Sequence, residues 1–287
     1  MLKKYFISTG ILFVAAVVSV DQAYSREESK AYPKGYYNGD PLPDKTAYLT
    51  FDDGPSEWTE GILDILKQEN IKATFFISAY WNNKKMLGRN SFQKHQRALR
   101  RIVKEGHVLG NHTVGHKVLS ELSAGEIKMQ FNRNQYLLNR VLGKDAPVMT
   151  IIRLPLGRPW SNKTSVETKQ YVGSIIRNIG IVAMWSWKFD STDSWDWANG
   201  EWYKSSARID EKKPSFIYKR ERIYNRITAN ADGKGMVILM HDTHLTTRDV
   251  LHSVITELKR KGYIFCTMEE FVLWRYSKGS RELLGIK

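Results

Sequence analysis

The chain has 287 residues, of which 42% are hydrophobic, and this is enough apolar material for one sizeable folded core. Its 44 Lys and Arg residues outnumber its 30 Asp and Glu residues, which gives a formal net charge of +14. A charge of this sign favours acidic partners such as nucleic acid, anionic lipid or an anionic cell-wall polymer. Because the sequence contains no zinc-finger spacing, RNP motif or basic region ahead of heptads, nucleic acid is not expected as a partner.

The first 25 residues have the pattern of an export signal. Lys3 and Lys4 precede an uncharged stretch over 5–20, and a small-x-small sequence follows it at 23–25. The uncharged stretch is shorter than the roughly 20 apolar residues that a membrane-spanning helix requires. Residues 1–25 are therefore predicted to be a signal peptide, with an uncleaved membrane anchor as the alternative. The mature protein is expected to be exported and to have no integral membrane span.

After this segment the predicted elements alternate between strands and helices. Residues 26–44 are polar and contain several Pro and Gly residues, so they are predicted to form an arm or linker. The predicted strands are 47–51, 73–78, 107–109, 149–153, 181–185, 236–240 and 263–267, and the predicted helices are 58–70, 91–105, 124–141, 166–178 and 248–261. This order favours a single α/β domain over 45–287, with a parallel sheet that closes or nearly closes into a barrel.

One stretch, about 195–231, interrupts the alternation with more residues than a normal connection contains. It is rich in aromatic and basic residues, and its aromatic content argues against plain disorder. We therefore predict that it is a functional insertion. Some of the tryptophans in it and near the predicted strand ends are candidates to stack on sugar rings, and the others are expected in the core.

Polar side chains gather where the predicted strands end. In a parallel α/β barrel the carboxyl ends of the strands meet at one face, so these side chains are expected to lie together. They are Asp52, Asp53, His112, His116, Arg153, Asp190, Asp193 and His241. This convergence predicts an active site at that face.

The two histidines and the two adjacent aspartates indicate metal chemistry. The spacing of His112 and His116 places both imidazoles on one side of a helical turn, and catalytic zinc sites use three protein ligands of this kind. A pair of solvated or capping histidines is the alternative. Asp52 and Asp53 precede Gly-Pro, where one acid would suffice for a turn. If one of them binds the cation, the other can take a proton from the water that the cation acidifies.

These motifs together resemble the ordered signature of the polysaccharide deacetylase family (carbohydrate esterase family 4). The match covers roughly residues 45–275. It consists of Thr50-Phe51-Asp52-Asp53-Gly54-Pro55, His112-Thr113-x-x-His116, Arg153-x-Pro155 and Ile238-Leu239-Met240-His241-Asp242. The resemblance implies a distorted (β/α) barrel and a bound divalent metal, usually zinc.

The resemblance also implies roles for individual positions. The implied metal ligands are Asp53, His112 and His116. Asp52 would be the general base, held by Arg153, and His241 the general acid. From the residues alone, a carboxylate beside His241 would raise its pKa, and Asp193 or Asp190 is the candidate.

The resemblance implies that the backbone N–H of Leu156 helps to stabilise the oxyanion, and substrate contacts are also expected from Thr113 and Trp195. Two departures from the family pattern lie in this groove. Leu156-Gly157 stands where an aromatic residue often follows the Arg-x-Pro motif, and Ser194 stands at the usual Trp position, where Trp195 is the candidate replacement. They affect the expected sugar specificity more than the expected chemistry.

The sequence therefore predicts an exported, metal-dependent hydrolase that removes N-acetyl groups from an amino-sugar polymer. N-acetylglucosamine of peptidoglycan is the leading substrate, because a basic enzyme suits that acidic polymer. Deacetylation of chitin oligosaccharides and removal of acetyl esters from xylan are the alternatives. A glycan-binding protein that has lost turnover on the same scaffold is the alternative of a different class.

Overall fold

The computed structural model describes residues 34–81, 88–160, 164–196, 201–202 and 214–286. The predicted signal peptide lies outside these residues, as do parts of the predicted insertion, at 197–200 and 203–213. In the described part of the chain, no helix is both long and apolar enough to cross a membrane.

The main sheet is built from parallel strands. Its strands are β1 (Gly35–Tyr36), β2 (Thr46–Asp52), β3 (Thr74–Ile77), β4 (Val108–Asn111), β5 (Ile151–Ile152), β6 (Ile181–Ala183), β9 (Met236–His241) and β10 (Ile264–Cys266). The order is β1-β6-β5-β4-β3-β2-β10. Strands β3 and β10 pair with different parts of one edge of β2, and β9 pairs with the opposite edge. A separate antiparallel pair, β7 (Trp195–Asp196) and β8 (Glu201–Trp202), lies within the insertion.

Backbone hydrogen bonds outside the regular strands bring the far end of the sheet round to β9. The N–H of Ser186 donates to Val237 O at 3.1 Å, and the N–H of Ser191 donates to Leu239 O at 3.0 Å. Since these residues follow β6 in the chain, the sheet curls into the distorted (β/α) barrel that the sequence motifs predicted.

Helices cover the sheet. They are α1 (Thr59–Gln68), α2 (Ser91–Lys94), α3 (Gln96–Lys104), α4 (Ala124–Leu142), α5 (Val166–Ile176), α6 (Pro214–Thr228), α7 (Leu245–Arg260), α8 (Met268–Tyr276) and α9 (Ser280–Leu283). Along β2 the side chains alternate between two faces, as in any strand. Leu49 and Phe51 belong to one core cluster with residues of α1, whereas Tyr48 belongs to a second cluster with Phe76. Thr50 and Asp52, on the same face as Tyr48, both bond to the buried side chain of Arg153.

Local capping chemistry explains where several helices begin. Asn90, Ser123 and Thr267 are N-caps of α2, α4 and α8, and each forms a reciprocal capping box with the Gln or Glu three residues later. At the C-terminal end of α4, Gly143 takes a positive φ of 64°. Gln130 of this helix accepts two hydrogen bonds from the loop that carries the two histidines.

The structure differs from the predicted elements in four places. The predicted helix over 91–105 is divided into α2 and α3 at His95, whose φ of −119° and ψ of 36° are not helical. Residues 34–44 of the predicted arm include β1, which pairs with β6 and buries Tyr36. The insertion contains α6, which packs on α7. The sequence reasoning assigned no element to α8.

Candidate metal centre and active site

The turn after β2 carries both aspartates. Asp52 ends β2 and lies level with His241 of β9 in the strand register. Asp53 takes a left-handed backbone conformation with a φ of 74°, and its N–H donates to Phe76 O at 3.1 Å. Gly54 follows, and a Cβ at that position would overlap the carboxylate of Asp242. Any larger residue at this position would have to displace the Asp242 carboxylate, which favours glycine, and both aspartates of the turn are buried.

His112 and His116 converge on Asp53. The Nε2 atoms of both imidazoles lie 3.4 Å from Asp53 Oδ1. One ligand atom from each of these three residues lies within 4.8 Å of the other two. Asp53 Oδ1 is buried and forms no hydrogen bond with any residue in the described part of the chain. A buried carboxylate oxygen without such a partner, facing two imidazole nitrogens, fits a divalent cation.

The hydrogen bond of His112 fixes which ring nitrogen faces Asp53. Its Nδ1 lies 2.8 Å from the carbonyl oxygen of Arg153, which can only accept, so Nδ1 carries a proton and Nε2 is the nitrogen that faces Asp53. Burial would lower the pKa of His112, but Asp52 and Asp53 raise it above its ordinary value. Burial lowers the pKa of His116 to about 4, so this imidazole is neutral. Burial would raise the pKa of Asp53, but His116, His112 and His241 lower it to about 2. Asp53 is therefore a charged carboxylate, as a metal ligand must be.

The predicted helical turn between the histidines is wrong. The chain from His112 to His116 is a loop in which Thr113 and His116 have φ values of 69° and 50°, both in the left-handed region. The loop is held by α4, since the N–H of Val114 donates to Gln130 O at 2.9 Å and the N–H of Gly115 to Gln130 Oε1 at 3.1 Å. The imidazoles converge through this anchored loop and not through helical periodicity.

Arg153 is fully buried beneath Asp52. Its Nη1 donates to Asp52 Oδ1 at 2.8 Å and to Thr50 Oγ1 at 2.7 Å, and its Nε donates to Ala183 O at 2.7 Å. The guanidinium also lies over the ring of Phe76, 4.1 Å from the centroid. Burial lowers the pKa of Arg153, but the group remains charged because Asp52 opposes this effect. The ion pair fixes one oxygen of Asp52, while Oδ2 lies 3.8 Å from His112 Nε2.

His241 lies on the opposite side of Asp53 and is bound by Asp193. Asp193 Oδ1 lies 2.7 Å from His241 Nδ1, and its Oδ2 accepts from the backbone N–H of His241 at 2.7 Å. Burial would lower the pKa of His241, but Asp193, with smaller contributions from Asp53 and Asp52, raises it to about 10. Asp190, the alternative partner, instead accepts from the backbone N–H of Thr192 at 2.9 Å. The pair at this site is therefore His241 with Asp193.

The residues predicted to contact substrate lie in different environments. Leu156 is 53% exposed and has a φ of 57° in the short 3₁₀ helix Pro155–Gly157. Thr113 is fully buried, and its Oγ1 accepts from the backbone N–H of His116 at 3.2 Å. The backbone of Trp195 lies in β7, and its side chain lies outside the described part of the structure.

Sequence reasoning missed several buried polar residues that support the site. Gln130 bonds to the histidine loop, and Asn134 bonds to Asn111, which begins the polar run expected at that strand end. Thr247 donates to Asp193 Oδ2 at 2.6 Å. The only signal for Gln130 and Asn134 was a pair of carboxamides at i, i+4 on a predicted helix, and such residues are usually on the solvated face.

Comparisons with known proteins identify relatives of this chain. Residues 39–173 match the polysaccharide deacetylase family model. The chain is 36% identical over 225 residues to a peptidoglycan-N-acetylglucosamine deacetylase of Bacillus cereus, covering 77% of this chain and 66% of that protein. It is 32% identical over 235 residues to the putative polysaccharide deacetylase YheN of Bacillus subtilis, covering 80% and 69%.

Solved structures show the same likeness. The peptidoglycan deacetylase PdaC of Bacillus subtilis is 27% identical, with a TM-score of 0.57 over 84% of this chain and 96% of that one. A polysaccharide deacetylase of Bacillus cereus is also 27% identical, with a TM-score of 0.57 over 78% and 91%.

The fold is a parallel α/β barrel, and its Asp-His-His group is able to bind a divalent metal. An Arg-bound carboxylate and an Asp-bound imidazole flank that group. This arrangement is typical of metal-dependent hydrolases. This chain belongs to the polysaccharide deacetylase family. The family and the barrel fold predicted from the sequence motifs are confirmed, and so is the enzyme class, that of a polysaccharide deacetylase.

Proposed function

We propose that this protein is an exported zinc enzyme that removes the acetyl group from N-acetylglucosamine residues of peptidoglycan. The observation that carries the proposal is the convergence of His112, His116 and Asp53, with Asp52 and His241 on either side. The names of the Bacillus relatives support the substrate. The net charge of +14 supports it further, because peptidoglycan and its associated polymers are acidic.

Asp53, His112 and His116 would hold the metal. Two imidazole nitrogens and one carboxylate oxygen are the donor set that catalytic zinc sites use, with a coordination position left for water. A zinc ion held there would supply Lewis-acid activation of a water molecule and of the acetyl carbonyl group.

Asp52 would act as the general base. Arg153 binds Oδ1, so Oδ2 is the oxygen that faces the metal ligands, 3.8 Å from His112 Nε2. Oδ2 takes a proton from the attacking water as its oxygen bonds to the acetyl carbon. Because Arg153 is held by Thr50 and by a backbone carbonyl, the carboxylate keeps its orientation while it changes its charge.

His241 would act as the general acid. Its Nδ1–H is bound to Asp193, so the proton on Nε2 is the one that faces the site, 3.8 Å from Asp53 Oδ2. Expulsion of an amine requires a proton on its nitrogen, and Nε2 delivers it as the carbon–nitrogen bond breaks. Asp193 stabilises the imidazolium before the transfer and fixes the tautomer afterwards.

For the substrate groove we retain the roles of Leu156 and Trp195 as proposals. The exposed position of Leu156 supports a contact of its N–H with the acetyl oxygen. The full burial of Thr113 favours a supporting role for its side chain, which accepts the N–H of His116.

Acetate release from three acetylated glycans tests the function. Purified peptidoglycan, chitopentaose and acetylxylan are incubated with the metal-loaded protein, with and without a chelator. We expect release to be fastest from peptidoglycan, to stop with the chelator and to return with zinc. Faster release from chitopentaose or acetylxylan would show that this glycan, and not peptidoglycan, is the preferred substrate. Tight glycan binding without release from any of them would favour the non-catalytic alternative.

A matched pair of histidine variants tests the metal site. His112→Ala should lose zinc and acetate release together. His252→Ala makes the same chemical change at a half-exposed histidine that pairs with Glu69 at 3.0 Å, on the outer face of α7. It should retain both properties. Equal zinc content in the two variants would contradict the ligand assignment.

Export follows from the pattern of residues 1–25 and is tested in cells. We expect the mature protein in the cell-envelope or secreted fraction, with a new N-terminus near residue 26 by mass spectrometry. A chain with an intact N-terminus in the membrane fraction would favour the uncleaved anchor.

A further inference from the structure

Three carboxamide side chains are buried beneath the loop that carries the two histidines. Gln130 and Asn134 belong to α4 and are fully buried, and Asn111 ends β4 and is 3% exposed. Burial of a polar group is unfavourable unless the group is hydrogen-bonded, so three such residues in one place need an explanation. Asn111 and Gln130 each bond directly to the loop that carries the two histidines, and Asn134 bonds to Asn111.

Asn134 joins the ends of two strands. Its Nδ2 donates to Ile77 O at 2.8 Å and to Asn111 Oδ1 at 2.9 Å, and its Oδ1 accepts from the N–H of Ala79 at 3.1 Å. Two acceptors therefore face the amino group and one donor faces the carbonyl group. This arrangement is satisfied by an amide in one orientation and not by a carboxylate.

From Asn134 a chain of hydrogen bonds leads to His116. Asn111 Oδ1 accepts from Asn134 and also from the backbone N–H of Thr113 at 3.0 Å. Thr113 Oγ1 in turn accepts from the backbone N–H of His116 at 3.2 Å. The chain ends at a residue whose Nε2 lies 3.4 Å from Asp53 Oδ1.

The loop held in this way has an unfavourable backbone conformation. Thr113 has a φ of 69° and His116 a φ of 50°, and left-handed conformations are rare for residues other than Gly, Asn and Asp, above all for a β-branched residue. Such conformations persist only where the surroundings over-determine them. The carboxamide chain supplies that constraint.

We propose that Asn134 is a positioning residue of the metal centre, which acts through Asn111 and Thr113 to hold His116 in place to bind the cation. The inference rests on the proposed metal site and extends it to a residue that touches neither the cation nor the substrate. Supporting residues of this kind affect the affinity for the metal and not only the stability of the fold.

The next residue of α4 provides a matched control. Gln135 also makes three hydrogen bonds: its Nε2 donates to Asn139 Oδ1 and Pro147 O, and its Oε1 accepts from the N–H of Met149. None of these leads to the histidine loop. Asn134→Ala and Gln135→Ala therefore each delete a carboxamide with three hydrogen bonds, and only the first belongs to the chain that reaches His116.

The test measures the zinc dissociation constant of the full chain by competition with a chromophoric chelator, together with the melting temperature. We expect Asn134→Ala to weaken zinc binding by about tenfold to a hundredfold and Gln135→Ala to leave it unchanged. Asn134→Asp should weaken it further, because a carboxylate oxygen would replace the amino group that faces Ile77 O and Asn111 Oδ1.

The outcomes separate this inference from the proposed function. Zinc binding by both Asn134 variants as tight as that of Gln135→Ala would overturn the positioning role and leave the metal site intact. Absence of zinc binding by the wild-type protein would overturn both. If neither Asn134 variant folds, Thr113→Val carries the test, because it removes the acceptor of the His116 N–H. An unchanged dissociation constant in that variant would also overturn the inference.

Discussion

Replacement of Asp193 by Asn tests whether a buried carboxylate keeps His241 protonated. Asp193 accepts from the ring and backbone of His241, both at 2.7 Å, and from Thr247 Oγ1 at 2.6 Å. Burial would lower the pKa of His241 from its ordinary 6.5, but Asp193, with smaller contributions from Asp53 and Asp52, raises it to about 10. Asn has nearly the same shape and no charge, so Asp193→Asn removes the largest of the contributions that raise this pKa.

The sign and size of the effect follow from the role of the acid. A general acid must carry its proton, and a raised pKa extends the protonated form to alkaline pH. In the variant the proton should be lost at lower pH, because burial is then opposed only by Asp53 and Asp52. The wild-type pKa of about 10 lies about 3.5 units (10 − 6.5) above the ordinary value, which sets the upper scale of the shift. At pH 7 a histidine of pKa 6.5 is about one quarter protonated, which alone costs about fourfold. Complete loss of general-acid catalysis costs about 10²- to 10⁴-fold.

The assay is kcat/KM for acetate release from pH 5 to pH 10, with the zinc content of each sample measured. In the pH profile of kcat/KM, the alkaline limb of Asp193→Asn should lie at least one pH unit below that of the wild type. A cation bound at Asp53 lowers the pKa of His241 in both proteins, so the two profiles should still differ. Thr247→Val is the control, since it removes one hydrogen bond from Asp193 and keeps the charge. Coincident alkaline limbs in folded, zinc-loaded wild type and Asp193→Asn would refute the reasoning.

Three further substitutions test other parts of the site. Asp52→Asn should retain zinc and lose about 10²- to 10⁴-fold in kcat, because it removes the general base; full activity in the metal-loaded variant would rule that role out. Arg153→Met leaves the buried carboxylate of Asp52 unpaired, and denaturant unfolding should show a loss of about 3–5 kcal/mol. A loss below about 1 kcal/mol would contradict this. Gly54→Ala should cost about 1–3 kcal/mol through overlap with Asp242, and adding Asp242→Ala should recover part of the loss. If the double variant loses the sum of the unfolding free energies lost by the two single variants, the two residues do not clash.

Most of the barrel could be predicted because its strands are buried on both faces. A strand such as β2 is then a short apolar run, and such runs are visible in the sequence. The sequence does not reveal β1, since two residues show no periodicity and the Pro and Gly residues around Gly35 are typical of a linker. Its strand conformation comes from pairing with β6 across a long separation in the chain. Helix propensity alone could not predict that the helix is interrupted at His95, between α2 and α3.

The reactive groups could be predicted because strand ends in a parallel barrel meet. Asp52 and His241 are distant in the chain and level in the register of β2 and β9. The choice of Asp193 over Asp190 as the partner of His241 needed the structure, because both precede β9 in an irregular segment. The positioning of the histidines was misread, since the i, i+4 spacing indicates a helical turn while hydrogen bonds from α4 impose a loop.

Three residues at the metal centre, Asp53, Thr113 and His116, adopt backbone conformations that non-glycine residues seldom take. The free energy of those conformations is supplied when the chain folds, by packing and hydrogen bonds elsewhere in the barrel. A cation that arrives later finds its ligands already in position and loses little affinity to the ordering of the chain. Loss of the metal should for the same reason leave an apoprotein that is folded and ready to rebind.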